Sequence, residues 1–306
     1  GYIDRKQMQE AQKSPVLLKN KPPLKSRYRY FRETLQRFAA EEFPDSSLYF
    51  NGSEIYTSLY PFLEEEAQKA VRKGVAHVDS LWYTDNAQAA LVSIDNRDLR
   101  IRAVTGGRSE DEDLFNRALQ AHRQPGSSFK TFVYLAAMDA PLSPDSLLIT
   151  PSTLLPDTPS VFTFTDSLDS IWTPKNYGNE YLGLTTVRRA IERSQNVATS
   201  YLTMMLTPER VADYAYRTGI SSDIGTKPSI GLGASEVTPF EMTRAMTTIA
   251  NYGRRRRVTP IRYITDNRGN ITYRPSQDWT PAIDSTSTFL LIHLLDCVVR
   301  FGRSYD

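Results

Sequence analysis

Cysteine is nearly absent from this sequence. Cys297 is the only one among 306 residues, so no disulfide can form within the chain, and the redox compartment stays open. Histidine is almost as scarce: His77, His122 and His293 stand far apart, none with a second ligand at metal-binding spacing. Zinc chemistry is therefore unsupported, and no cofactor or metal is expected. No run approaches the roughly eighteen apolar residues of a membrane span, and no signal peptide is visible. An excess of one charge is lacking too, since 37 Lys and Arg against 35 Asp and Glu leave +2, which selects no partner. The one basic run, Arg254 to Arg257, is short, follows Asn251-Tyr252-Gly253 and precedes strand-like "VTPIRYIT". It reads as a solvated turn, and no nucleic-acid partner is expected.

What is present is enough apolar material, 40% of the residues, for two domains and a sizeable core. The chain opens on "GYIDRKQMQEAQKSP", without an initiator methionine and already inside an amphipathic helix, so it looks like a piece of something longer. Residues 1–18 read as the end of a helical unit, and the basic, proline-bearing 19–30 as a linker. A helix, "YFRETLQRFAAEEF", a strand, "SEIYTSLY", and a second helix, "PFLEEEAQKAVRKGVAHVDSL", make a small mixed module. "QAALVSID" and "LRIRAVTGG" flank a short polar turn and predict a hairpin, as do the runs on either side of Asn267-Arg268-Gly269. Helical spacing dominates from Phe115 to Met205, interrupted by an irregular stretch around residues 150–183. Thr238, Pro239 and Gly253 read as cap, first residue and stop of another helix. The last helix, "STSTFLLIHLLDCVVRFG", is apolar enough to be buried.

"RQPGSSFK" runs straight into "TFVYLAAMDA". Pro125-Gly126 marks a turn, and Phe129, Phe132, Val133, Ala136 and Ala137 recur at helical spacing. Ser127 or Ser128 is thus expected at the N-cap, with Lys130 about one turn in and on the face of Ser127. A serine hydroxyl needs a base to become a nucleophile. Lysine serves only when neutral, which from a reference pKa of roughly 10.4 holds for about one in two thousand at pH 7. Lowering it by about three pH units costs roughly 4 kcal/mol, and burial and the positive end of a helix both act in that direction. The helix start also offers amide protons to a developing oxyanion. The geometry suits an acyl-transfer nucleophile. A bare S-x-x-K nevertheless arises about once by chance in a chain this long, where it is an ordinary serine cap and a solvated lysine.

A second fragment lies further on: Ser194-Gln195-Asn196 interrupts two helical patterns, where a short loop could aim both side chains into a cleft. The alternative is a plain cap on the following helix. S-x-x-K and S-x-N are two of the three motifs that recur together in serine β-lactamases and penicillin-binding proteins. "NRALQAHRQPGSSFKTFVYLAAMD" resembles the nucleophile segment of class A penicillin-binding proteins, the bifunctional peptidoglycan synthases. "WTPKNYGNEYLG", "RSQNVATSYL" and "GLGASEVTPFEMTRAMTTIANYG" resemble further segments of the same transpeptidase domain, in order and spacing. The opening residues resemble the last helix of the family's glycosyltransferase domain, and "YFRETLQRFAAEEF" to "PFLEEEAQKAV" its linker region.

The resemblance implies an α+β fold of the serine β-lactamase/transpeptidase type, an antiparallel sheet flanked by helices with a helical subdomain. It implies three parts: the end of a glycosyltransferase domain in 1–24, a linker module in 25–85 and a transpeptidase domain in 86–306. It makes Ser127 the acylated nucleophile, Lys130 its base, Ser194 the group that passes a proton to the leaving D-alanine, and Asn196 the holder of the substrate amide and orienter of Lys130. For Ser128, Phe129, Trp172 and Tyr177, packing is the expected role. Implied partners are peptidoglycan stem peptides, a lipid-linked precursor through the parent protein, β-lactams and other cell-wall synthesis proteins. The implied location is the outer face of the bacterial membrane, anchored through a segment this sequence does not hold. No K-T-G or K-S-G follows Ser194, and Lys227 is followed by proline; the third motif, with the sheet strands around it, is expected after Asp306. Two other readings are a non-catalytic wall-binding scaffold of this fold and a serine β-lactamase. The latter needs an E-x-x-L-N carboxylate where this chain has "KPSIGLGASE".

Overall fold

A computed structural model of the chain describes residues 4–6, 8, 9, 27–44, 52–139, 148–164 and 170–302. The expected glycosyltransferase helix and the proline-bearing linker fall largely outside these residues. Helix α1 (Arg29–Glu42) buries Tyr30, Phe31 and Thr34. Strand β1 (Glu54–Thr57) leads into α2 (Pro61–Trp82), which has proline in its first turn and buries Ala67, Val71 and Val75 at four-residue spacing. Strands β2 (Leu91–Asp95) and β3 (Arg100–Thr105) form the first expected hairpin, with Leu91 opposite Thr105 and Asp95 opposite Arg100.

The second edge of β3 is occupied by the start of α2 and by a later loop. Ile101 N–H donates to Thr259 O at 3.1 Å, Tyr60 N–H to Arg102 O at 2.9 Å, and Val104 N–H to the Glu64 carboxylate at 2.7 Å. These bonds satisfy backbone groups that an open edge would leave unpaired. Tyr30 and Phe31 pack with Leu99, Ile101, Val104, Phe240 and Val258 in one cluster, so α1 and the hairpin share a core.

The short helix α3 (Arg117–Gln120) precedes a 3-10 turn, Gly126–Phe129, and then α4 (Lys130–Met138), in which every residue is buried. Strands β4 (Leu154–Asp157), β5 (Phe162–Phe164), β6 (Ser170–Trp172) and β7 (Gly183–Thr186) pair as β4–β7 and β5–β6. The stretch read as irregular therefore holds two short ladders. Three or four residues between prolines, serines and threonines are too few for a period-two signal.

Helices α5 (Val187–Glu192), α6 (Asn196–Leu206), α7 (Pro208–Thr218) and α8 (Pro239–Ala250) follow, with a 3-10 turn at Pro228–Leu232 before the last. Thr238 caps α8 and Pro239 begins it, as expected; Glu241 completes a reciprocal capping box with Thr238. Strand β8 (Arg254–Arg255), the expected hairpin β9 (Ile261–Thr265) and β10 (Ile271–Tyr273), β11 (Thr280–Pro281) and α9 (Ser285–Phe301) complete the order. Among the described residues the widest sheet is β1-β9-β10, all antiparallel, with β9 central. The main core sets Phe132, Leu135, Leu202, Val211, Leu291 and Leu294 around α4.

Two expectations need correction. The four-arginine run is not a solvated turn. Arg254 and Arg255 pair with Pro281 and Thr280 as a strand, and Arg256 is buried over the Trp279 ring. Its donors reach backbone carbonyls of Asp98 and Gln277, which a solvated arginine would not need. Helix α9 is buried on one face only: Leu291, Leu294 and Cys297 face the core, while Phe289, Val299 and Phe301 are exposed. His293, Asp296 and Arg300 lie on the exposed face, a polar signal outweighed in the sequence by the apolar residues around them.

Candidate active site

The turn before α4 sets the site. Gly126 takes a φ of 56°, and Ser127 and Ser128 follow in 3-10 geometry, both exposed. Neither serine caps a helix, contrary to expectation. The 3-10 turn carries the chain directly into α4, whose first residue is Lys130, and no side-chain cap is made at either step. Among the described residues the Ser127 amide has no backbone partner, which leaves it available to an incoming oxyanion.

A close backbone approach fixes this turn from outside. Gly233 has a φ of 74°, and a methyl group on it would stand 2.2 Å from Gly126 O. Only glycine fits there, both for its backbone conformation and for the space. The "GLG" of the sequence is thus a buttress against the serine turn.

Lys130 is 3% exposed, in contrast to Ser127. Its ammonium nitrogen donates to Ser194 O at 2.7 Å, Asn196 Oδ1 at 2.7 Å and Ser194 Oγ at 3.1 Å. Burial pulls its pKa down to about 7, opposed in part by the negative charge of Asp157. The two fragments, 64 residues apart in sequence, therefore meet at one nitrogen.

The loop between α5 and α6 explains how. Ser194 N–H donates to Ile191 O at 3.0 Å and Gln195 N–H to Ala190 O at 2.9 Å. These paired bonds make a Schellman C-cap with Ser194 at the left-handed position, φ 51°, where glycine is usual. A serine held in that conformation is strained, and here the strain aims its hydroxyl and carbonyl at Lys130. Neither residue of the S-x-N caps α6 through its side chain. The cap comes from Asn176, whose Oδ1 accepts from Asn196 N–H at 2.7 Å and Val197 N–H at 3.0 Å. Its Nδ2 donates to Asp157 Oδ1 at 2.8 Å and Glu180 O at 3.0 Å. Asn176 is 4% exposed with both functions of its amide engaged.

Asn196 turns its Oδ1 to Lys130 and donates from Nδ2 to Lys175 O at 2.8 Å. One of its two amide protons is thus committed to the loop that holds Asn176, not to the cleft. Tyr134 of α4 and Thr199 of α6 share a hydroxyl contact at 3.1 Å, which locks the two helices one turn behind the site.

Of the residues assigned to packing, Phe129 packs, edge-on to Phe132. Trp172 is half-buried beside Phe162. Ser128 and Tyr177 are exposed; Tyr177, on the loop that carries Asn176, is 83% exposed. Asn176 and Asp157 were missed. The former sits in "WTPKNYGNEYLG", a segment of recognised resemblance, but an asparagine in a loop carries no sign of which distant helix it caps. No group of three or more His, Cys, Asp or Glu that could hold a metal occurs among the described residues.

The family model described as penicillin binding protein transpeptidase domain matches residues 89–304. Penicillin-binding protein 1B of Vibrio cholerae is 28% identical over 295 residues, 96% of this chain and 37% of that protein. Penicillin-binding protein 1A of Pseudomonas aeruginosa is 36% identical over 196 residues, 64% of this chain and 23% of that protein. The chain thus spans well under half the length of these relatives. Among solved structures, penicillin-binding protein 1A of Haemophilus influenzae superposes with a TM-score of 0.76 at 19% identity, over 100% of this chain and 62% of that one. PonA1 of Mycobacterium tuberculosis in complex with penicillin V gives 0.68 at 22%, over 87% and 69%. These likenesses establish the α+β transpeptidase fold. The chain belongs to the penicillin-binding protein transpeptidase family, and the relatives it matches are of the class A type.

Proposed function

We propose that this chain carries the acyl-transfer chemistry of a peptidoglycan D,D-transpeptidase, with Ser127 as nucleophile and Lys130 as its base. The observation that carries the reading is a buried lysine one turn from an exposed serine, with a pKa drawn to about 7. As a neutral amine, Lys130 keeps two N–H donors for the Ser194 and Asn196 carbonyl oxygens, groups that can only accept. Its lone pair is then left for a hydroxyl. It takes the Ser127 proton as Oγ bonds to the carbonyl carbon between two D-alanines, giving a tetrahedral oxyanion that faces the Ser127 amide. Collapse breaks the peptide C–N bond. The leaving D-alanine nitrogen receives a proton through Ser194 Oγ, which lies at 3.1 Å from the lysine nitrogen and is itself reprotonated by Lys130. The ester on Ser127 then passes its acyl group to an amine, or to water in the carboxypeptidase variant.

A β-lactam would enter the same route and remain on Ser127, because its opened ring keeps the leaving amine attached. On this reading the parent protein works at the outer face of the bacterial membrane, with a lipid-linked precursor as the source of its strands and other cell-wall synthesis proteins as partners. The division into 1–24, 25–85 and 86–306 belongs to the same proposal. A fluorescent penicillin should label the protein, and peptide mass spectrometry should find the adduct on Ser127. Labelling that persists undiminished in Ser127→Ala, or an adduct on another residue, would remove the assignment.

A further inference from the structure

A cleft of about 830 Å³ opens between α1, α8 and the segment around the four-arginine run, and none of Ser127, Lys130, Ser194 and Asn196 lines it. Arg37, Arg244, Arg255, Arg256 and Arg257 line it, against three carboxylates, Glu41, Glu241 and Asp278. Two of these arginines have carboxylate partners: Arg37 pairs with Glu33 at 2.9 Å, and Arg257 with Glu42. The other three meet only neutral acceptors. Arg244 donates to Gly219 O and to Ser221 Oγ at 3.0 Å, Arg255 to Arg217 O at 3.3 Å, and Arg256 to the carbonyls of Asp98 and Gln277. Among the described residues none of these three forms an ion pair with a carboxylate.

The carboxylate nearest in charge to Arg244 is already satisfied. Glu241 accepts from the backbone and hydroxyls of Ser221 and Ser222 and from Thr238. Arg244 Nε is buried and donates to nothing. It is one of four buried side-chain polar atoms without a partner among the described residues, and such a group asks for an explanation. The Asp278 carboxylate accepts from Ser276 Oγ at 2.8 Å, and Asp278 N–H donates to the same Oγ at 3.0 Å.

We propose that this cleft binds a small soluble molecule bearing a phosphate or diphosphate group, held by Arg244, Arg255 and Arg256. Glu241 and Glu41 act on Arg244 only through space, so three guanidinium groups without a direct ion pair share the cleft. A dianion with several acceptor oxygens, which arginine forks engage in pairs, suits them better than a single carboxylate. The volume is that of a small-molecule pocket. Phe38 and Phe240, edge to face at 5.8 Å, supply an apolar wall for the part of the ligand that carries the phosphate. The site also lies behind the nucleophile turn: His122 lines it, and the next residue, Arg123, exchanges two backbone hydrogen bonds of 3.0 Å with Val237.

Calorimetric titration of the 306-residue chain with inorganic pyrophosphate and with orthophosphate, at ionic strength fixed with sodium chloride, tests this. Saturable one-to-one binding is expected, weakened about tenfold or more in Arg255→Gln and in Arg244→Gln, the worth of one lost ionic hydrogen-bond pair. Arg268→Gln, on the exposed β9–β10 turn, should bind as the parent does. Arg255 is exposed, so its variant keeps the test interpretable should Arg244→Gln unfold. The proposal fails if no saturable binding occurs up to about 10 mM, well above the affinity expected of a built site. It also fails if Arg268→Gln weakens binding as much as Arg255→Gln. Co-sedimentation with anionic phospholipid vesicles without any response to soluble pyrophosphate overturns it equally, by assigning the charge to a membrane surface.

Discussion

Ser194 concentrates the tension in the site. A left-handed C-cap position favours glycine, and a side chain there costs on the order of 1 kcal/mol. The hydroxyl is retained although the backbone is strained, so stability and activity should part company at this residue. Ser194→Gly should match or exceed the parent in stability, by about 0.5–1 kcal/mol in chemical denaturation. It should also acylate slowly, because the hydroxyl beside Lys130 is gone. Ser194→Ala should be as slow without the gain in stability. A glycine variant that acylates at the parent rate would mean the hydroxyl takes no part. Asn176 shows the complementary case, a side chain whose whole role is position: it caps α6 and ties it to Asp157.

At the level of elements, the serine turn is held by glycine against glycine. In Gly233→Ala the added methyl must displace Gly126 O, since 2.2 Å lies far inside van der Waals contact. A loss of roughly 1–3 kcal/mol is expected from the positive φ and the clash together. Acylation should fall while the far-ultraviolet spectrum stays that of the parent; unchanged acylation would show that the turn does not depend on this buttress. Elements of this kind also mark how much was legible in the sequence. Helices with strong period and a cap, such as α8 with Thr238-Pro239, could be read directly, as could both hairpins around their polar turns. Ser127, Lys130, Ser194 and Asn196 were legible as fragments, and the structure brings the last three into hydrogen-bond contact. The 3-10 entry to α4, the strands of 154–186 and the role of Asn176 were not. Each depends on contacts between segments far apart in the chain, which no local pattern records. The fate of Arg256 is similar: four charges in a row carry no sign that one of them will be buried over the ring of Trp279.

At the level of the whole molecule, helix α2 and the β2–β3 hairpin are joined through a buried acid. Glu64 of α2 is fully buried, accepts from Val104 N–H, and burial lifts its pKa from 4.5 to about 7. The folded chain therefore binds more protons than the unfolded chain between these values, and stability falls as pH rises from about 4.5 to about 7. The full loss, reached above pH 7, is on the order of 3 kcal/mol. Glu64→Gln keeps the acceptor for Val104 and removes the charge, so its stability curve in urea should be flatter over this range and higher at pH 8. Parallel curves for variant and parent would contradict the burial argument. Lys130 has the opposite sign. Its folded pKa of about 7 lies below the ordinary 10.5, so the native state binds fewer protons, and stability rises with pH between the two. That same depression underlies the proposed reaction, in which a lysine neutral near pH 7 takes the Ser127 proton. The pH dependence of the penicillin acylation rate at Ser127, in the parent and in Lys130→Ala, tests this most directly. The parent rate should rise to a plateau with its midpoint near pH 7, and the variant should be slower by about 10²- to 10⁴-fold, the usual worth of a positioned base. A midpoint near the ordinary lysine pKa, or a variant as fast as the parent, would contradict it.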